Sequence, residues 1–203
     1  FRSVISRIII EDERIGYIQI IRFTSRTPDE LSEAIKELTN DGISALILDL
    51  RNNSGGLLVE SIEVADQFLG EGVIVIEQSR SNEEVYTADS DVQIDSQIPI
   101  VLLVNAKTAS ASELVAGALQ DNGRGILVGQ TTYGKGTVQQ IFPLSDGSSV
   151  HITSAGWLTP NKQIIAQNGL TPDIVMIPDE NGRDVEFGEA VRYLTSILDK
   201  QSK

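Results

Sequence analysis

The chain has 203 residues, enough to enclose one hydrophobic core. Asp and Glu outnumber Lys and Arg by 29 to 16, for a formal net charge of −13, and no basic cluster interrupts the excess, which argues against nucleic acid as a partner. With no cysteine and one histidine, His151, the chain cannot form disulfides, a thiol nucleophile or a metal site of several Cys or His. No apolar run approaches the ~20 residues of a membrane helix, so membrane association is expected only through parts outside this chain.

The predicted elements begin with a helix over residues 27–41, where Thr27 precedes Pro28 and Glu30 follows three residues on, a helix-start pattern. Two similar passages of strand, loop, helix and strand come next, and they predict an α/β fold with buried strands. The first passage has a strand at 42–50, the loop 51–56, a helix at 57–70 and a strand at 72–78; the second has a strand at 98–104, a helix at 111–123 and a strand at 125–129.

The remainder of the chain is more varied. Residues 136–160 alternate in polarity around a Ser-Asp-Gly turn, which predicts a β-hairpin, and residues 185–200 predict a C-terminal helix. The acidic, polar stretch 79–97 is predicted to be a mobile loop or insert. Because no internal linker is evident, residues 1–203 are expected to form a single domain.

Residues 129–140, GQTTYGKGTVQQ, nearly match a phosphate-binding loop through Gly129, Gly134 and Lys135. Gly136, however, occupies the position of the hydroxyl that binds magnesium, and the residues after it favour a strand where a phosphate loop opens a helix. Nucleotide binding is therefore disfavoured. Lys135 is then either an ordinary solvated charge or a residue that takes part in a reaction.

Ser110 begins a helical run, and Ser110-x-x-Glu113 is a capping-box pattern, for which a plain helix cap is the commoner use. At that position a serine hydroxyl also lies beside free backbone N–H groups that can stabilise an oxyanion. A serine nucleophile needs a base. His151 fits an ordinary strand residue, and no G-x-S-x-G motif is present, so a lysine is the remaining strong candidate. A lysine can accept a proton only where burial lowers its pKa.

These segments together resemble the carboxyl-terminal processing peptidases, or tail-specific proteases, which are serine peptidases related to the core of the tricorn protease. The resemblance covers about residues 12–178, through segments that include LDLRNNSGGLL at 48–58 and LTPNKQIIAQNGLTPDIV at 158–175. Its central motifs are the S-A-S-E run at 110–113 and Y-G-K-G at 133–136.

The resemblance implies that Ser110 is the nucleophile, Lys135 the general base and Gln139 a partner that positions the lysine. It implies an oxyanion hole formed by the N–H of Ala111 and one N–H from Gly55 or Gly56, a choice that the sequence leaves open. It also implies a crotonase-like or ClpP-like core of repeated ββα units with an additional β-hairpin region, and neither a metal nor an organic cofactor.

The expected substrates are proteins or peptides, cleaved through an acyl-enzyme near unstructured, apolar C-terminal tails, in a compartment outside the cytoplasm. The PDZ domain and N-terminal helical region that family members usually carry have no counterpart in these residues. Two other functions remain open: a crotonase-like acyl-CoA enzyme, which would not need the Ser110 and Lys135 pair, and a non-catalytic peptide-binding or scaffold module. The oligomeric state is not predicted.

Overall fold

The computed structural model describes residues 2–89 and 92–201, and within these ranges it leaves out the side chains of residues 138–141 and 151–154. In chain order the strands are β1 (Val4–Ile8), β2 (Ile15–Ile20), β3 (Ala45–Asp49), β4 (Val73–Ser79), β5 (Glu83–Thr87), β6 (Ile100–Val104), β7 (Gly125–Gly129), β8 (Thr137–Pro143), β9 (Ser149–Leu158) and β10 (Ile174–Val175). The helices are α1 (Thr27–Asn40), α2 (Leu58–Leu69), α3 (Ala111–Asp121) and α4 (Val185–Gln201).

A six-stranded sheet in the order β1-β2-β3-β6-β7-β10 forms the centre of the fold. Strands β2, β3, β6, β7 and β10 are parallel to their neighbours, and β1 pairs antiparallel with β2 at one edge. The predicted α/β class is therefore confirmed.

The central sheet is buried on both faces because apolar residues occupy successive positions of its middle strands. In β3, Leu46 and Leu48 pack among residues of α1, α2 and α3, whereas Ala45 and Ile47 pack among residues of α4. Side chains alternate between the faces of a strand, so a continuous apolar run supplies two cores at once. The helices accordingly lie on both sides, with α4 alone on the second face.

A second, antiparallel sheet has the strand order β5-β4-β9-β8. Its β8 and β9 form the predicted hairpin around the turn at 144–148, where the N–H of Leu144 donates to the carbonyl of Ser148. Strand β8 begins directly after Gly136, where the sequence predicted a strand in place of the helix of a phosphate loop. Among the described residues no helix has both the length and the apolar character to cross a membrane.

Two sequence-based expectations need correction, and two strands were not predicted. The stretch 79–97, predicted as a loop or insert, contains β5, which pairs antiparallel with β4. Strands β1 and β2 had no sequence-based prediction. At the start of α1, Thr27 does not form the expected cap: its hydroxyl donates to the carbonyl of Arg22, and the Glu30 carboxylate accepts from the N–H groups of Ser3 and Val4. Glu30 therefore fixes the start of β1 instead of closing a capping box.

The parallel order brings three loops to one edge of the central sheet. Strand β3 pairs with β6, and β6 pairs with β7, so their carboxyl ends lie side by side. The loops that leave these ends are residues 50–57, 105–110 and 130–136. The carboxyl edge of such a sheet is where ligands bind in open α/β folds, and the predicted site residues Ser110, Lys135, Gly55 and Gly56 all belong to these loops.

Candidate active site

Ser110 lies at the N-cap of α3 with a strained backbone, φ 58° and ψ −122°. A non-glycine residue with a positive φ outside the small left-handed helical region costs on the order of 1–3 kcal/mol and persists only where its surroundings enforce it. Here the N–H of Glu113 donates to the Ser110 carbonyl at 2.8 Å, and the N–H of Leu114 does so at 3.0 Å. The fold thus holds Ser110, half-buried, at the positive end of a helix.

Glu113 is completely buried. It connects Ser110 to the loop 130–136, which carries Lys135 and is called the lysine loop below. Its Oε2 accepts from the N–H of Ser110 at 2.8 Å and from the N–H of Lys135 at 2.9 Å. Its Oε1 accepts from the N–H of Gly134 at 2.6 Å and from the hydroxyl of Thr132 at 2.5 Å. The capping-box pattern predicted only the Ser110 contact. The other three contacts make the carboxylate a tie between the two segments that carry the predicted nucleophile and base.

The lysine loop is also held from outside by residues 165–170. The Thr132 hydroxyl accepts from the N–H of Leu170 at 2.7 Å, and the N–H of Gln167 donates to the Gly134 carbonyl at 2.9 Å. A Cβ on Gly136 would lie 2.3 Å from the backbone nitrogen of Ala166, so only glycine permits this close approach. The two glycines around Lys135 therefore let the backbone of residues 165–169 come close.

The Lys135 side chain itself is exposed, and not enclosed as a base would need to be. Backbone contacts hold the main chain of Lys135, whereas no hydrogen bond or ion pair holds its amine within the described part of the structure. Lys135 lines a groove of about 560 Å³ together with Ala109, the residue before Ser110, and with Tyr133. The structure thus places Lys135 beside the loop that bears Ser110, with the amine open to solvent.

Three backbone N–H groups, those of Ala111, Gly55 and Gly56, are candidates for the oxyanion hole. The N–H of Ala111, first in α3, has no hydrogen-bond partner within the described part of the chain, as expected for a helix start. Gly55 is buried against it, and a Cβ on Gly55 would lie 2.8 Å from the Cβ of Ser110 and 3.0 Å from the Ala111 nitrogen. The N–H of Gly55, however, already donates to Oδ1 of Asn53 at 2.9 Å. Gly56 is exposed, and its N–H is without a partner among the described residues.

Side-chain amides join the loop 50–57, which carries Gly55 and Gly56, to the loop 105–110, which carries Ser110. Asn52 and Asn105 form a reciprocal pair, with the Asn52 N–H donating to Asn105 Oδ1 at 3.0 Å and Asn105 Nδ2 donating to Asn52 Oδ1 at 3.1 Å. The buried carbonyl of Asn53 accepts from the N–H of Ala109 and from the hydroxyl of Ser112. These contacts hold the loops that carry the predicted oxyanion donors next to each other. No sequence motif predicted the contacts.

An ionic network joins the end of β3 to the start of α4, from buried Asp49 through Arg51 to exposed Asp184. Asp49, at the end of β3, accepts from the Tyr17 hydroxyl at 2.8 Å and pairs with Arg51, which also pairs with Asp184 at the start of α4. Burial and the Asp49 carboxylate raise the pKa of Tyr17. Burial opposes the charge of Asp184, but the Arg51 hydrogen bonds prevail and lower the pKa of that carboxyl. The network connects α4 to the residues just before Asn52.

Two predicted residues are only partly placed. Gln139 lies in β8 and pairs with Thr153 of β9, and His151 pairs with Ile141. The side chains of both residues lie outside the described part of the structure, so the proposed contact of Gln139 with Lys135 stays a prediction. Within residues 2–89 and 92–201, no three His, Asp or Glu side chains converge as metal ligands.

Comparison with known proteins agrees with this arrangement. The family model of peptidase family S41 matches residues 14–176, which include all the loops described above. The chain belongs to peptidase family S41. A chloroplastic C-terminal processing peptidase of Tetradesmus obliquus is 40% identical over 175 residues, covering 86% of this chain and 38% of that protein. A carboxy-terminal-processing protease of Bartonella bacilliformis is 40% identical over 185 residues, covering 87% and 43%.

Solved structures share the fold of this S41 chain. The photosystem II D1 C-terminal processing protease superposes with a TM-score of 0.80 at 35% identity, covering 89% of this chain and 51% of that one. The tricorn protease, at 18% identity and a TM-score of 0.63, shares the fold over 94% of this chain and 18% of its own. The predicted family is therefore confirmed, and the chain spans less than half the length of these two curated relatives.

Proposed function

We propose that this S41 protein is a serine peptidase that cleaves proteins near their C-terminal tails with Ser110 as nucleophile and Lys135 as general base. One observation carries the proposal: a strained serine at a helix N-terminus is tied through the buried Glu113 carboxylate to the backbone of Lys135. A carboxylate that only capped α3 would not need to reach the Lys135 loop.

The reaction begins when Ser110 Oγ attacks the scissile carbonyl carbon as its proton passes to the neutral amine of Lys135. The N–H of Ala111 and the N–H of Gly56 stabilise the resulting oxyanion. We favour Gly56 over Gly55 because Asn53 already occupies the N–H of Gly55. The intermediate collapses to an acyl-enzyme, and the leaving amine takes the proton from Lys135. Water, deprotonated by the lysine, then hydrolyses the ester and restores Ser110.

Base chemistry requires the exposed Lys135 amine to leave water. A peptide in the groove that Lys135 lines would cover the amine and direct it towards Ser110, and Gln139 would hold it there. Substrate binding would thus complete the dyad, in keeping with the looser geometry of catalytic hydrogen bonds before substrate binds.

Substrate and location rest on the relatives. One solved neighbour is named for processing the photosystem II D1 C-terminus, and curated relatives are named as C-terminal processing proteases, some of them chloroplastic. We propose apolar, unstructured protein tails as substrates and a compartment outside the cytoplasm. We also propose that residues 1–203 act as a single peptidase core.

Turnover of a fluorogenic peptide with an apolar C-terminus tests the assignment. Ser110→Ala and Lys135→Ala should each abolish turnover without lowering the melting temperature, and Lys135→Arg, which keeps the charge but cannot act as a base, should also be inactive. Lys36→Ala, an exposed lysine on α1, is the matched control and should keep full activity. Full activity in Lys135→Ala would refute the Ser-Lys dyad. Covalent labelling of Ser110 by a serine-directed acylating probe separates an enzyme from a scaffold.

A further inference from the structure

The groove beside Ser110 carries positive charge in an otherwise acidic chain. The chain has a net charge of −13, yet none of the residues that line the groove is Asp or Glu, and two of them, Lys107 and Lys135, are lysines. Lys162, by contrast, pairs with Glu83 at 3.2 Å. A groove with this lining attracts an anionic group and is unfavourable for a cationic one.

Lys107 is the lysine of this pair that catalysis does not use. Its side chain is exposed, and within the described part of the chain its Nζ has neither an ion pair nor a hydrogen bond. If Lys135 acts as a neutral base, Lys107 supplies the positive charge that remains in the groove. A role for this charge would concern the substrate and not the chemical step.

The backbone beneath Lys107 is fixed even though the side chain is free. The N–H of Lys107 donates to Asn105 Oδ1 at 3.0 Å, and the same amide group pairs with Asn52, which also lines the groove. The hydroxyl of Thr108 donates to the Leu50 carbonyl at 2.9 Å. The turn therefore fixes the Cα from which the Lys107 side chain extends, three residues before Ser110.

The rest of the lining is suited to an apolar residue. Ala106 and Ala109 leave space beside Lys107, and the Tyr133 ring, 66% exposed, offers an apolar surface. A volume of about 560 Å³ lies in the range of ordinary ligand pockets. The lining thus combines a surface for an apolar side chain with an ammonium for a carboxylate.

We propose that Lys107 recognises the free C-terminal carboxylate of the substrate tail, whose apolar last residue packs against Tyr133 and the alanines. The proposal rests on the proposed peptidase function and adds that the core domain itself reads the end of the tail. Charge complementarity and the unpaired ammonium select this occupant. An amidated tail would lose the contact.

Binding of labelled peptides to the Ser110→Ala protein, measured by fluorescence anisotropy at low ionic strength, tests this. The peptide with a free terminus should bind about two- to fivefold tighter than its C-terminal amide, the range expected for an exposed ion pair. Lys107→Gln should make the two affinities equal, and Lys107→Glu should reverse their order. Lys36→Gln removes the same charge from α1, far along the chain from the groove loops, and should preserve the ratio.

Two results would overturn the proposal. One is an equal affinity of acid and amide in the protein with Lys107. The other is full recovery of binding by an amidated peptide that carries aspartate at its last position, which would show recognition of an acidic side chain instead of the terminus. Failure of the peptidase proposal appears separately, as an absence of turnover by the protein with Ser110 intact.

Discussion

Glu113→Gln is the sharpest test of how this site is assembled. The carboxylate accepts four hydrogen bonds, two at each oxygen, from Ser110 and Lys135 at Oε2 and from Gly134 and Thr132 at Oε1. An amide keeps the size of the side chain but replaces one acceptor oxygen with an NH₂ donor. With the NH₂ at the Oε2 position, two backbone N–H groups lose their acceptor. At the Oε1 position the Thr132 hydroxyl can turn its proton away and accept from the NH₂, so the Gly134 N–H is the one backbone donor of the four contacts that loses its acceptor.

The less damaging orientation sets the magnitude. One buried N–H without an acceptor costs about 1–3 kcal/mol, and hydrogen bonds to a neutral acceptor are each weaker than those to a charged one by about 1 kcal/mol. Two hydrogen bonds remain at the other oxygen, so Glu113→Gln should lower the free energy of unfolding by about 3–5 kcal/mol. Because the lost contacts join the Ser110 and Lys135 loops, kcat should fall much more than KM rises.

Urea unfolding and peptide turnover measure the two effects. Glu33→Gln on the exposed side of α1 makes the same chemical change outside any such network and should stay within about 0.5 kcal/mol of the parent. Glu113→Gln with parental stability and parental kcat would refute the idea that this carboxylate positions the site. A loss of stability with kcat unchanged would reduce Glu113 to a structural residue.

Three further expectations follow from individual contacts. Gly55→Ala should lower kcat by about 10²-fold, the cost of losing one oxyanion donor, because its Cβ would crowd Ser110 and displace the Ala111 N–H. Near-parental turnover would mean that the Ala111 N–H does not hold the oxyanion. Asp184→Ala should cost about 1–3 kcal/mol in urea unfolding, since it removes an α4 cap and an Arg51 partner, whereas Asp184→Asn keeps the cap and should cost less. Hydrogen bonding from Arg14 lowers the pKa of Asp12 from 3.8 to about 2, so the ionised carboxylate stabilises the fold above about pH 4 and this contribution is lost between about pH 4 and pH 2. Stability measured across that range should show a shallower acid loss in Asp12→Asn, and an unchanged slope would contradict the assignment.

The parts of the fold that the sequence predicted are those where apolar content alone decides the structure. Strands β3 and β6 are buried on every residue, and their continuous apolar runs are visible in the sequence. Strand β1 mixes exposed Ile5 with polar Ser6 and Arg7 at a sheet edge, so its alternation is weak. Strand β5 has a mostly exposed, acidic sequence and exists because β4 offers it a partner. Pairing of that kind depends on tertiary context.

The candidate site divides in the same way. Ser110 and Lys135 carry family motifs, and the parallel order of β6 and β7 explains why loops so far apart in sequence meet. The contacts of Glu113 could not be foreseen beyond the helix cap, because they end on backbone N–H groups, which every residue type other than proline possesses. The exposure of Lys135 was equally invisible, since it depends on the path of a loop and not on the residue type.

The backbone of Ser110 has a consequence for how this protein could change. At φ 58° and ψ −122°, a residue with a Cβ has a conformational strain energy that glycine would avoid. Ser110→Gly should relax the backbone, and it would also remove the proposed nucleophile. A screen for thermal stability alone would therefore favour glycine at this position, against the proposed peptidase activity. The strain thus marks a residue at which stability and the proposed activity make opposite demands.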